Sequence, residues 1–323
     1  MLAAARRSGV KGVPRGDIID FLEGSFGAFQ SKHNAANWNW DRQQIAGALA
    51  ELASHKLVEA TGDENYHMTP LGRFAGRAGI EVDSILRLVE ALAPLAAEQV
   101  TDPLLIAAAQ LTVELDQQGF PINKKGAQKE AQSWFTELRR QNIPVQVLNS
   151  LHRSVAEPHV PALRAKKAAA CLLWISDCTM ADIETILTRH GRKFDGAAGA
   201  VRGAASRTGD LLPAAAQVAT ILHPDLDLGN RLTRLLTRLE VGVPAAAVEV
   251  AQFAGPRLSR GEYHQLVRAG LGTASAVEGA ADETLAACLG GNDERIEIVR
   301  DAARLFREQG PGVTLPEFPG YEG

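Results

Sequence analysis

A basic excess is missing from this sequence: 34 lysines and arginines face 38 aspartates and glutamates, for a net charge of -4. A free-standing nucleic-acid binder normally has the opposite balance, because phosphate contacts need unneutralised cations. Any such binding here is therefore local or assisted by a partner. Long apolar runs are missing too. No stretch reaches the roughly 18 residues that suggest a membrane span, and residues 1–7 lack the apolar core of a signal peptide. The expectation is a cytoplasmic protein without membrane contact. Cysteine is rare: Cys171, Cys178 and Cys288 form no CxxC pair and read as reduced core thiols. The eight histidines are scattered, with no HExxH and no Cys/His metal spacing. No GxxxxGK[ST] phosphate loop occurs. Gly191-Arg192-Lys193 and Lys124-Lys125-Gly126 do not supply one, which excludes ATP hydrolysis by that route. Aromatic residues are only 5% of the chain. With Ala and Leu abundant, this favours helix over strand.

What is present is 323 residues, 46% of them hydrophobic, enough for two or three domains. The fold class read from the pattern is mainly α. Residues 1–80 form a first unit. A short amphipathic helix covers 17–22, and a polar loop with Trp38 and Trp40 follows. Asp41 opens a second helix, with Ile45, Leu49 and Leu52 at helical spacing, ending near His55. A strand over 57–60, a turn over 61–65 and a return strand over 66–68 complete the order of a winged helix. Residues 81–240 read as an all-α bundle, broken by prolines and glycines, with its clearest helices at 84–93, 103–115, 128–141, 162–176 and 211–222. A unit of short helices spans 241–290, and 291–323 hold one more helix and a loose tail.

Chemistry-bearing residues concentrate in the helix over 162–176. Lys167 and Trp174 are seven residues apart, about two turns, and so share one side of it. A cation in line with an aromatic ring suits single-stranded nucleic acid, the cation holding phosphate and the ring stacking a base. The other reading puts Trp174 in the core and the lysines on a solvated face, and both stand on the sequence alone. Lys166 and Arg164 are second choices for the cation, since the helix rotation is not fixed. A second basic cluster joins Arg189, Arg192, Lys193, Arg202 and Arg207, either a solvated face or a backbone contact. The second helix of the first unit exposes Arg42, Gln43, Gln44, Glu51 and Lys56, a mixed face that favours packing over groove reading.

Several motifs, in order, resemble one family. Thr69-Pro70-Leu71-Gly72-Arg73 is similar to the T-x-L-G-R junction that follows the winged helix in HelQ-type DNA helicases of superfamily 2. The helix ending in Trp174-Ile175 resembles the ratchet helix of their helical domain. Arg238-Leu239-Glu240-Val241-Gly242-Val243 is similar to the R-L-x-x-G-V link into their final helix–hairpin–helix domain. Leu266-Val267-Arg268-Ala269-Gly270-Leu271 resembles that domain's closing L-x-x-A-G-I. The resemblance covers about residues 17–290. It implies a winged helix, a ratchet-like bundle and a helix–hairpin–helix-like domain, with both motor domains absent. Asp63-Glu64-Asn65-Tyr66-His67 is not the family's DExH motif, so no ATP or Mg site is expected in this chain, nor any other cofactor. The implied partners are single-stranded or forked DNA and helicase motor domains, in cis or in trans, at a bacterial nucleoid.

The implied strand contacts are Lys167 and Trp174 on the ratchet helix. The hairpin departs from the family: Arg257-Leu258-Ser259 stands where a G-h-G turn would cradle phosphate, which leaves Arg257 and Arg260 to touch phosphate by side chain. Glu249 and Glu262 near it read as solvated carboxylates rather than as a glycosylase acid, and no enzymatic activity is expected. The expected function is thus a non-catalytic region that contacts DNA and couples it to a motor, or a protein-interaction subunit that docks on the motor with little DNA contact.

Overall fold

The computed structural model describes residues 12–33, 41–61, 65–153, 157–188 and 197–310, the side chain of Lys32 excepted. It is mainly helical, as the composition indicates. By contact the chain divides into two compact units, 1–82 and 83–323.

The first unit runs β1 (Val13–Pro14), α1 (Arg15–Glu23), α2 (Phe26–His33), α3 (Arg42–Ser54), β2 (Val58–Thr61), β3 (Asn65–Met68) and α4 (Pro70–Ala75). The strands form an antiparallel sheet in the order β1-β3-β2, with Val13 opposite Tyr66 and Val58 opposite Met68. Ile18, Ile19 and Leu22 of α1 meet Ile45 and Leu49 of α3 and Val13 of β1 in a small core. The hairpin lies where the sequence predicts it. Helix α2 lies where the sequence predicts the start of a polar loop: of its described side chains only Ala28 is buried, so no inward-facing stripe marks it.

The T-x-L-G-R segment has a structural task here. Thr69 caps α4 by accepting the Gly72 amide at 2.9 Å and donates its own hydroxyl to the Lys56 carbonyl at 2.7 Å. Pro70 fills the first helical position, where no amide donor is needed. A Cβ on Gly72 would sit 1.8 Å from the Leu57 carbonyl oxygen, so only glycine lets α4 cross the hairpin this closely. Arg73 donates to the Met68 carbonyl at 2.8 Å. The motif ties the end of the hairpin to the next helix.

The second unit holds α5 (Val82–Leu92), α6 (Asp102–Ala109), α7 (Val113–Asp116), α8 (Ala127–Arg140), α9 (Val145–His152), α10 (Val160–Trp174), α11 (Met180–Thr188), α12 (Ala197–Leu222), α13 (Gly229–Val241), α14 (Val248–Ala254), α15 (Arg260–Arg268), α16 (Ala274–Gly279), α17 (Asp282–Leu289) and α18 (Asp293–Gln309). Helix α10 is the strut: α6, α8, α9, α11 and α12 all pack on it. Five alanines in it let neighbours approach closely on every side. Helices α14 to α18 share one apolar cluster with Val241 and Val243. It includes Tyr263, Leu266, Val277 and Leu285 and continues into Val299, Ala302 and Ala303 of α18. The helix read from sequence as a terminal appendage is thus part of this core.

Candidate functional site: the basic helix and its surroundings

The residues expected to meet a DNA strand lie on α10, and their side chains point inward. Lys167 is fully buried and donates to the Leu115 carbonyl at the end of α7. Burial lowers its pKa from 10.5 to about 8, the nearby Asp116 carboxylate opposing part of that shift. Lys166 pairs with Glu130 at 2.6 Å, both side chains buried, and its ammonium lies 5.7 Å from the Trp134 ring centre. Arg164 makes a two-pronged pair with Asp116 at 2.7 and 2.5 Å and donates to the Arg153 carbonyl at 2.7 Å. A cation buried in this way is costly unless it is paired: Arg164 and Lys166 each meet a carboxylate, while Lys167 meets a carbonyl and bears a desolvation cost.

Trp174 is only 4% exposed. Its indole N–H donates to the Leu239 carbonyl at 2.8 Å, and the Arg260 guanidinium lies 5.0 Å from its ring centre. Gly242, at φ +79°, passes so close that a Cβ there would fall 2.3 Å from the ring. Arg238 donates to the Ile175 carbonyl at 3.1 Å and pairs with Asp102 at 3.2 Å. Arg260 donates to the carbonyls of Trp174, Ser176 and Cys178, the last at 2.6 Å, and so closes the end of α10. Burial lowers the pKa of both arginines. The Trp-Ile end, the R-L-x-x-G-V segment and the hairpin arginine therefore converge on one junction. Of the two readings open on the sequence, the structure places Trp174 in the core.

This corrects the sequence expectation for four residues: Arg164, Lys166, Lys167 and Trp174 present no surface to a strand, because the bundle closes over α10 everywhere but at Leu172 and Leu173. Arg260 shares their fate through its bonds to the α10 end. Arg257 is exposed, but its guanidinium turns back to the Phe253 and Ala254 carbonyls at 2.5 and 3.1 Å. Its turn contains Gly255, whose carbonyl accepts the Tyr263 hydroxyl at 2.7 Å. Arg202 and Arg207 are exposed on α12, Arg207 paired with Asp210 at 3.2 Å. Arg189, Arg192 and Lys193 lie outside the described residues, as do Trp38 and Trp40. Arg42 of the mixed α3 face pairs with Asp20 at 2.6 Å.

Two surface features were not read from the sequence as sites. In the first unit Phe21, Phe26 and Phe29 are 53%, 72% and 56% exposed. Phe26 and Phe29 stack at 6.3 Å, and Phe29 stacks on His33 at 4.1 Å. In the second unit Lys124, Lys125, Lys129 and Arg139 are exposed on α8 and the turn before it, and Arg139 lines a groove between α8 and α9. The charge count over 121–153 would have found the second: six lysines and arginines against Glu130 and Glu137. A larger cleft of about 740 Å³ lies beside α13, but its Arg231 and Arg238 are neutralised by Asp102 at 2.6 and 3.2 Å.

Among the described residues no group of three His, Cys, Asp or Glu side chains is placed to hold a metal ion, and no helix is long and apolar enough to cross a membrane. No protein-family model matches the chain, and no curated protein is significantly similar to it.

Proposed function

We propose that this chain is a non-catalytic accessory region of a HelQ-like DNA helicase that acts by docking on an ATPase motor, in cis or in trans. The observation that carries the reading is the aromatic face of the first unit. Three phenylalanines on two adjacent helices are more than half exposed, Phe26 and Phe29 stacked on each other, and solvent-facing apolar side chains grouped in this way mark surfaces that a partner covers. The motif order supports the family assignment, and so does the tight local role of each motif. The first unit is read as a winged helix on its helix order and three-stranded sheet, and α14 to α17 as a degenerate helix–hairpin–helix-like domain. Arg257-Leu258-Ser259 stands where a G-h-G turn would let a phosphate approach, with Gly255 out of that register. Buried cations on α10 favour docking over direct strand contact by the ratchet-like helix.

The test is co-elution of the chain with the HelQ-type motor domains of its own source genome, wild type against Phe21→Ser/Phe26→Ser/Phe29→Ser. The expected result is a complex with wild type that the triple variant loses. Absence of a complex with folded wild type, or an undiminished complex with the variant, contradicts the docking reading.

A further inference from the structure

We propose that the groove between α8 and α9 is a contact site for single-stranded nucleic acid. It contains none of the residues that the motifs suggested, and it does not depend on whether a motor docks. The case begins with charge. On a chain of net charge -4, the segment from Lys124 to Arg153 concentrates cations. Lys124, Lys125, Lys129 and Arg139 are exposed and carry no ion pair among the described residues. The acids within reach do not cancel them. Glu130 is buried and held by Lys166, and Glu137 pairs with Arg140 at 3.2 Å. Unneutralised cations close together in one segment of an acidic protein are what phosphate attraction requires.

The groove supplies the second element. Gln128, Gln132, Phe135 and Arg139 fall at spacings of four, three and four and form one stripe of α8. Asn149 and His152 of α9 face them across a cleft of about 370 Å³ with no acidic residue in its lining. Side-chain amides can pair with the edges of unpaired bases, and Arg139 at the end of the stripe is left for the backbone. The His152 ring is exposed, with Phe135 behind it at 5.3 Å between ring centres, and offers a stacking surface. Neighbouring cations would hold the backbone while the groove holds a base. A duplex hides its bases in the stack, so the groove favours a single strand.

Fluorescence anisotropy of a labelled oligo-dT of about 20 nucleotides tests this on the full chain, across a salt series. Lys125→Ala/Lys129→Ala/Arg139→Ala is compared with a charge-matched control, Arg202→Ala/Arg207→Ala/Arg268→Ala. All six side chains are exposed, so neither triple change threatens folding. Wild type is expected to bind with a salt slope that the first triple variant reduces by about 2, since each lost phosphate contact removes about 0.7. Affinity at about 50 mM salt falls on the order of a hundredfold, and the control stays near wild type. Gln132→Ala/His152→Ala is expected to weaken binding about tenfold with an unchanged slope, because base contacts release no counterions. The proposal is overturned if folded wild type does not bind at low salt, if both triple variants lose affinity equally, or if a duplex of the same length binds as tightly as the single strand.

Discussion

Helices α10 and α8 lie against each other in the second unit and carry the same kinds of cation, with opposite fates. On α10 the cations are enclosed, each matched to a carboxylate or a carbonyl. On α8 and the turn before it Lys124, Lys125, Lys129 and Arg139 are exposed and carry no ion pair among the described residues, while Arg140 pairs with Glu137. A lysine's function thus depends less on its helix than on what the fold brings to its end. A buried, paired ammonium contributes specificity of packing and is costly to disturb. An exposed, unpaired one is free to meet an anion and contributes almost nothing to stability.

The largest expected effect comes from breaking the enclosed side of that comparison. Trp174→Ala removes a buried indole and the partner of the Leu239 carbonyl, and should cost about 3–5 kcal/mol. Urea unfolding measures it, and a cost below about 1 kcal/mol would mean that the ring is not core. Next, Lys166→Met leaves the Glu130 carboxylate buried without its cation, at about 3–5 kcal/mol. Adding Glu130→Gln should recover most of that loss, and a double variant no better than the single one would exclude the pair as the cause.

A somewhat smaller effect depends on pH. Lys167 holds its proton in the unfolded chain up to 10.5 but in the folded state only to about 8. Below pH 8 both states are charged, and folding bears the full desolvation cost. Between pH 8 and 10.5 the folded state releases the proton first, so wild type should gain stability relative to Lys167→Met, by at most about 3 kcal/mol. Chemical denaturation of the two proteins across that window measures the difference. A constant difference would mean that the ammonium is solvated. The smallest effect falls on the exposed side. Lys125→Ala/Lys129→Ala/Arg139→Ala should change the unfolding free energy by less than about 0.5 kcal/mol per site, even as it removes the salt-dependent affinity expected of the groove.

Much of the local structure is written in the sequence. Asp41 caps α3 through the Gln44 amide at 2.8 Å, as a helix-opening aspartate should. Thr69 and Gly72 hold the crossing that their motif marks. The rotation of α10 was not legible, for two physical reasons. Its sequence has no polar stripe to mark an outside, since the helix is buried all round from Val160 to Cys171. The groups that neutralise it also lie far away in the chain: Asp116 is 48 residues before Arg164, Glu130 is 36 before Lys166, and the Leu115 carbonyl is 52 before Lys167. Arg260 likewise closes a helix end more than 80 residues upstream. The groove was half legible. Its cations stand in the sequence within one span, but that Asn149 and His152 face Gln128 and Gln132 follows only from the packing of α9 on α8.

The most direct test of the contrast is lysine acylation of the native full chain, read by mass spectrometry with and without oligo-dT. Lys124, Lys125 and Lys129 should react readily and be protected by the oligonucleotide, while Lys166 and Lys167 stay unmodified until the protein unfolds. Reaction of Lys166 or Lys167 at the rate of the surface lysines, or protection by the oligonucleotide confined to them, would contradict the account and return the strand to α10.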